Sequence, residues 1–145
     1  MTAGNPEGVR RCIRQAVRSA GIAPQEIDLI SGHLTATKAD PKEVCNWLCA
    51  LELSRESFPL LNAPKSLFGH TLGASGAIES IAVILQLCKS FVHPSRNCED
   101  LYPELTWCES KIPHRCLEQE IRIAVKAAFG FGDVNACIVF RQFTS

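Results

Sequence analysis

The segment from Leu72 to Cys88, LGASGAIESIAVILQLC, limits what this chain can fold into more than any other stretch. At helical spacing it is apolar nearly all the way round, which places the helix in the middle of a domain and not on its rim. Its opening turns are glycine, alanine and serine, residues that give up helix propensity but let neighbouring backbone approach closely. One acidic residue, Glu79, interrupts the run, and a carboxylate buried there requires a cation beside it. Lys65, in the KSLFGH turn before the helix, is the obvious partner. A solvent-facing Glu79 and a surface Lys65 are the plainer alternatives.

The flanking sequence alternates. Asn5-Pro6-Glu7 reads as a helix start with Asn as N-cap, and Val9, Cys12, Ile13, Ala16, Val17 and Ala20 recur at helical spacing until Gly21 ends it. IDLIS (27–31) and FPLLNA (58–63) read as short buried strands. Asp40-Pro41-Lys42-Glu43 has the form of a capping box opening a second helix, with Val44, Trp47, Leu48 and Leu51 as its buried stripe. The proline-marked run from His93 to Cys116 reads as a long excursion over the surface. IRIAVKAAF and VNACIVF, joined through GFGD, read as a closing pair of strands. This order predicts an α/β layered fold, helices packed on a mixed β-sheet, as a single domain over residues 1–145.

Composition removes several function classes. The chain has 145 residues and is 46% apolar, enough for a core of its own. Fifteen basic and fifteen acidic residues are scattered, so no electrostatic footprint for nucleic acid or an anionic membrane is expected. The run IAVILQLC is too short to span a bilayer, so no membrane insertion is expected. The opening MTAGNPEGVRR has no charged-then-apolar leader, and the eight cysteines are therefore expected as free thiols of a cytoplasmic protein. Cys12, Cys88 and Cys137 fall where an apolar face would take a small hydrophobe. Cys45 and Cys49, four apart on a helix, can face one another but have no histidine at ligand spacing, so no metal site is expected.

In an α/β sheet the loops that follow the strands gather at one end. Here those loops are GHLTAT, KSLFGHTLG and FGFGD. They hold His33, His70, Lys65, two threonines and flexible backbone amides, the inventory for stabilising negative charge on a thioester oxygen or a carboxylate. A neutral imidazole can donate one N–H to a developing oxyanion, and two such donors are stronger than one. Taken singly, each histidine also fits a satisfied loop residue. From the residues alone the reading is an α/β domain with an anion or carbonyl site.

The motifs carry a further resemblance. KSLFGHTLGASGAIES resembles the K-S-x-x-G-H-x-x-G-A-x-G-x-x-E segment of the β-ketoacyl-acyl carrier protein synthases, the thiolase-fold condensing enzymes. ISGHLTATKADPKE resembles their A-H-G-T-x-T-x-x-x-D-x-x-E loop, FGFGDVNA resembles F-G-F-G-G-x-N-A, and MTAGNPEG resembles an internal M-T-x-P-x-x-x-G stretch. The resemblance covers essentially the whole chain and implies a thiolase-like fold, C-terminal half only. It implies decarboxylative Claisen condensation of an acyl thioester with malonyl carrier protein, in fatty-acid or polyketide synthesis. His33 and His70 would stabilise the enolate oxygen, and Lys65 would orient the site with Glu79. Thr35 and Thr37 would touch the phosphopantetheine arm; Phe129 and Phe131 would contact substrate, with Phe131 as the gate. No cofactor is implied beyond the phosphopantetheine carried by the acyl carrier protein. The implied partners are acyl carrier protein and an N-terminal half or second synthase chain, in a homodimer or heterodimer.

Four positions depart from the pattern. Leu34 and Ala36 stand where glycine is usual, and Asp133-Val134 stands where Gly-Thr is usual. Leu34 is expected to narrow the approach to the site, and to be strained if its backbone needs a positive φ. Asp133 would set a carboxylate near the oxyanion unless turned away or paired. None of the eight cysteines matches the family's nucleophile, which begins a buried helix in the other half. The chain alone is therefore expected not to condense. The alternatives are a non-catalytic partner or relic that binds acyl chain or carrier protein, and a purely structural assembly protein.

Overall fold

In the computed structural model, which describes residues 5–143, the Asn5 side chain accepts a hydrogen bond from the Glu7 backbone N–H at 3.1 Å. Helix α1 accordingly runs Pro6–Ala20 and stops at Gly21, whose φ of 63° suits a residue without a side chain. The leading MTAG of the M-T-x-P resemblance lies outside the described residues. The elements that follow are β1 (Leu29–Ser31), α2 (Asp40–Leu51), β2 (Leu60–Asn62), the single turn α3 (Lys65–Phe68) and α4 (Ser75–Lys89). Then come β3 (Phe91–Val92), β4 (Leu117–Glu118), β5 (Ile123–Phe129) and β6 (Asn135–Arg141). The main sheet has the order β2-β1-β5-β6, with β1 parallel to both its neighbours and β6 returning antiparallel along β5.

Strand alternation divides the apolar residues between the two faces. Ile30, Ile123, Val125 and Ala127 pack with Val9, Ile13, Val44 and Trp47, which belong to α1 and α2. Leu29 and Ala124 pack on the other side with Val83 and Leu87 of α4 and with Val92 and Ile121. The result is three layers, α1 and α2 over the sheet and α4 beneath it. The parallel strands β1 and β2 both end at the same edge, where the loops carrying His33 and His70 begin.

The central helix departs from expectation. Its sheet-facing side carries the polar residues Ser75, Glu79 and Gln86 among Ala82, Val83 and Leu87, all buried. Its other side leaves Ile81 58%, Ile84 44% and Leu85 48% exposed. Gln86 is satisfied in place: its Oε1 accepts from Asn62 Nδ2 and from the His93 backbone N–H, both at 2.9 Å, and its Nε2 donates to the Ala82 carbonyl at 3.2 Å. The helix is covered on one side only, and three of the apolar residues that made it look central, Ile81, Ile84 and Leu85, are uncovered.

Other expectations also change. Leu72–Lys89 has the length and mean hydropathy, 1.3, of a short membrane span, because the small residues ahead of IAVILQLC extend the apolar stretch. Glu79 and Gln86 bind this helix to the sheet. The excursion after His93 is not confined to the surface: Pro103–Lys111 forms 3-10 turns that bury Leu105 and Cys108, and the Trp107 ring meets Phe58 edge-on at 5.3 Å. The two-stranded pair β3–β4 brackets that segment. Among the three cysteines expected in the core, Cys12 and Cys137 are half-buried and Cys88 is exposed, because the apolar face of α4 that holds Cys88 has no cover. Cys45 and Cys49 do face one another, with their sulfurs 4.0 Å apart on the exposed side of α2.

This orientation of α4 is open to a direct check by chemical denaturation of the chain. Leu87→Ala empties a buried site and should cost about 3 kcal/mol. Leu85→Ala, two residues earlier on the uncovered side, should change stability by less than about 0.5 kcal/mol; equal losses would mean the helix is turned the other way.

Candidate active site

His33 lies just past the end of β1, and Glu43, from the first turn of α2, fixes its loop. Glu43 Oε1 accepts from the His33 backbone N–H at 2.7 Å and from Trp47 Nε1 at 3.4 Å. Asp40 holds the rest of the loop, its carboxylate accepting from the backbone N–H groups of Thr35 (3.1 Å), Ala36 (3.0 Å) and Thr37 (3.4 Å). The expected capping box is therefore not formed. Helix α2 has Ala39 as its N-cap, with no side-chain cap, because both acidic residues serve the loop ahead of the helix.

His70 comes from the turn between α3 and α4. Its Nδ1 accepts from the Leu72 backbone N–H at 3.1 Å and lies 3.2 Å from the Ser75 hydroxyl. An amide N–H can only donate, so the neutral imidazole carries its proton on Nε2. The rings of His33 and His70 meet edge-on, with centroids 5.5 Å apart and an interplanar angle of 86°. Phe129, at the end of β5, stands edge-on to His33 at 6.2 Å and against Trp47 at 6.5 Å. His33 Nδ1 is buried and has no protein partner.

Behind the histidines, Glu79 is 1% exposed and meets two lysines. Lys65 Nζ lies 2.8 Å from Glu79 Oε1, and Lys126 Nζ lies 2.6 Å from Oε2. The first pair is the one the sequence suggested. Lys126 was missed, although a lysine centred in the apolar strand IAVKAAF is itself a signal. Glu43 and Ser75 were missed as site residues too; Glu43 closes the D-x-x-E of the loop motif, a signal that could have found it, whereas nothing marks Ser75 as more than a helix position.

Burial and neighbouring cations lower the His33 pKa. Desolvation contributes most, followed by Lys65 and Lys126, and together they bring it from 6.5 to about 4. The ring is thus a neutral donor across the physiological range. Glu43 moves the opposite way: burial raises it from 4.5 to about 7, only partly offset by its bonds from His33 and Trp47.

A cavity of about 570 Å³ opens beside His70, with Leu34, Thr35, Lys65, His70, Cys98 and Tyr102 in its wall; His33 does not line it. The hydroxyls of Thr35 and Thr37 lie 3.1 Å apart. Phe131 is 75% exposed and stands clear of the packed residues. The Cys98 thiol donates to the Ser95 carbonyl at 3.2 Å, and burial together with Glu99 raises its pKa. It is not an activated nucleophile.

The departures resolve individually. Leu34 takes ordinary backbone; the strain falls instead on Ala36, at φ 57°. Leu34 does press on the loop, since a side chain at Gly32 would come within 2.9 Å of Leu34 Cγ. Asp133, at φ 63°, is turned away: Asn135 Nδ2 donates to its Oδ1 at 2.9 Å, and its carboxylate lies where a side chain on Gly8 would be, at 3.0 Å.

Comparison with known proteins places this arrangement. The profile of the beta-ketoacyl synthase C-terminal domain matches residues 1–99. The chain is 32% identical to 3-oxoacyl-(acyl-carrier-protein) synthase I, chloroplastic, of Arabidopsis thaliana, over 94% of this chain and 28% of that protein. It is 34% identical to 3-oxoacyl-(acyl-carrier-protein) synthase 2 of Rhizobium meliloti, over 95% of this chain and 32% of that protein. Its fold is similar to the ishigamide ketosynthase/chain length factor, with TM-score 0.89, 32% identity, and coverage of 99% of this chain and 34% of the other. The chain spans about a third of the length of these relatives, in their C-terminal part. Their thiolase-like fold is the one described above.

Two substitutions test this geometry. Ala36→Gly removes a left-handed alanine and should stabilise the chain by roughly 0.5 kcal/mol in denaturant titration, the strain relief exceeding the entropy lost. Glu43, raised on folding, favours the folded state below its unfolded value of 4.5 and loses that contribution as the pH climbs through 7. His33, lowered on folding, favours it above 6.5 and loses that contribution as the pH falls through 4. The two oppose each other between pH 4.5 and 6.5. Glu43→Gln should therefore make stability rise more steeply with pH in that window, by up to about 1.4 kcal/mol per pH unit; an unchanged slope would mean Glu43 is ionised in the fold.

Proposed function

Because this chain belongs to the beta-ketoacyl synthases, whose C-terminal domain it carries, we propose that it supplies the two-histidine half of a 3-oxoacyl-(acyl-carrier-protein) synthase site. The observation that carries this reading is the edge-on pair of His33 and His70, 5.5 Å apart, with His70 lining a cavity and a buried ion cluster nearby. The reaction is decarboxylative condensation of an acyl thioester with malonyl carrier protein. A cysteine from an N-terminal half, in the same polypeptide or a second chain, takes the acyl group. Loss of carbon dioxide from the malonyl group leaves an enolate, whose oxygen accepts the Nε2–H of His70 and an N–H of neutral His33. The enolate carbon then attacks the acyl-cysteine thioester and the cysteine departs as thiolate.

The remaining residues take supporting roles. Lys65, held by Glu79, orients the site. Thr35 and Thr37 meet the phosphopantetheine arm, Phe129 packs the His33 ring, and exposed Phe131 gates the acyl channel. The uncovered face of α4, with Ile81, Ile84 and Leu85, suits cover by the N-terminal half. Acyl carrier protein is the proposed donor of both substrates; a relative of similar fold has been seen as a type II polyketide acyl-carrier protein in complex with its ketosynthase. The eight unpaired thiols suit a reducing compartment, and the cytoplasm is the location we propose.

A second reading, a non-catalytic partner that binds acyl chain or carrier protein, is favoured by Leu34, which narrows the cavity wall, and by the strained Ala36 and Asp133. The assembled synthase decides between them. His70→Ala should lower carbon dioxide release from malonyl carrier protein by about a hundredfold or more while the circular dichroism spectrum is unchanged. Release that persists at the unsubstituted rate would remove the enzymatic reading and leave the binding one.

A further inference from the structure

Lys126 takes no part in the proposed reaction, yet it is 2% exposed in the middle of the sheet. Strand alternation turns it to the α4 face with Ala124, away from Val125 and Ala127. In the ladder it pairs with Ser31, two residues before His33. Its Nζ lies on Glu79 Oε2 at 2.6 Å, while Lys65 occupies Oε1 at 2.8 Å. Two lysine side chains share one carboxylate, so with both ammonium groups protonated the cluster carries one more positive charge than negative.

That excess is hard to explain as a stability device. A buried charge without a full counter-charge is costly, and an apolar residue at a strand centre is usually as stable or more so. Among the described residues no other anion balances it: Glu43, the next carboxyl, is kept protonated by burial up to about pH 7. We propose that Lys126 is a positioning residue of this site, holding the second oxygen of Glu79 and, with Lys65, leaving one uncompensated positive charge behind His33 that suits the cleft to a carboxylate anion. The proposal rests on His33 and His70 forming the site and deepens the proposed function; its test requires no condensation.

The groups facing His33 are few. Lys65 approaches from α3, Lys126 from β5, Glu79 from α4 and His70 from its own turn, and Glu43 binds its backbone. Both lysines oppose protonation of the ring, after desolvation, and Glu79 favours it. Lys126 is itself lowered by burial and held up by Glu79. Removing Lys126 would leave Lys65 and Glu79 as a balanced pair and lift part of the opposition.

The experiment is a histidine ring titration of the full chain by NMR, for the unsubstituted protein, Lys126→Met and Lys126→Arg. Lys126→Met should raise the His33 midpoint by about half a unit or more, and Lys126→Arg should return it. A folded Lys126→Met with an unmoved midpoint overturns the proposal. Should that variant not fold, the unsubstituted chain decides through its lysine side-chain nitrogen resonances: a charged Lys126 at pH 7 supports the proposal, and a neutral one overturns it. Normal synthase activity beside an unmoved His33 would sink this proposal and leave the proposed reaction standing.

Discussion

The ion cluster of Lys65, Glu79 and Lys126 ties three separate parts of the chain at one point. Lys65 comes from the turn that presents His70, Glu79 from the helix under the sheet, and Lys126 from the central strand beside β1. Desolvating three charges costs several kcal/mol each, and they recover it only while all three stay in place. Shifting any one element by an ångström would leave an ion stranded. The cluster therefore fixes the relative position of both histidine loops, and with it the 5.5 Å separation of the rings.

The same helix shows why the domain looks inside out. α4 sets Glu79 and Gln86, which are both paired, among Ala82, Val83 and Leu87 on its sheet-facing side and leaves Ile81, Ile84 and Leu85 to the outside. A helix that ended at solvent would carry the reverse pattern. The polar residues beneath it give the layer one allowed register, because Gln86 must reach Asn62 and His93 together. Apolar contacts alone would tolerate sliding.

Much of the fold could be read in the sequence because its signals are local. Asn5-Pro6 and Gly21 bound α1, and the alternation in IAVKAAF marks β5. Period and punctuation are properties of neighbouring residues. The sequence also gave the Lys65–Glu79 pair, since a carboxylate in an apolar helix demands a cation. It flagged Lys126 only as a charge in an apolar strand and not its partner, which is reached once the sheet is assembled, and it could not give the burial of Leu105 and Cys108, which depends on where the 103–111 turns land. Asp40 and Glu43 show the limit most clearly. Their spacing is that of a helix cap, yet the chain folds the preceding loop back onto them. A motif of hydrogen-bond acceptors fixes what must be bonded and leaves open which donors arrive.

The contact between Gly8 and Asp133 has a mechanical meaning. The turn 131–133 is closed at its base by the Gly130 backbone N–H on the Val134 carbonyl at 2.7 Å, and Gly132 and Asp133 both sit at positive φ. Its carboxylate end abuts the first turn of α1, where a side chain on Gly8 would come within 3.0 Å of it. The turn is thus a lever pinned at one end, with the ring of Phe131 at the free one. The opening helix, more than a hundred residues away in the chain, bears on this turn, and a bulky residue at position 8 would press first on the Asp133 carboxylate and through it on the segment that carries Phe131.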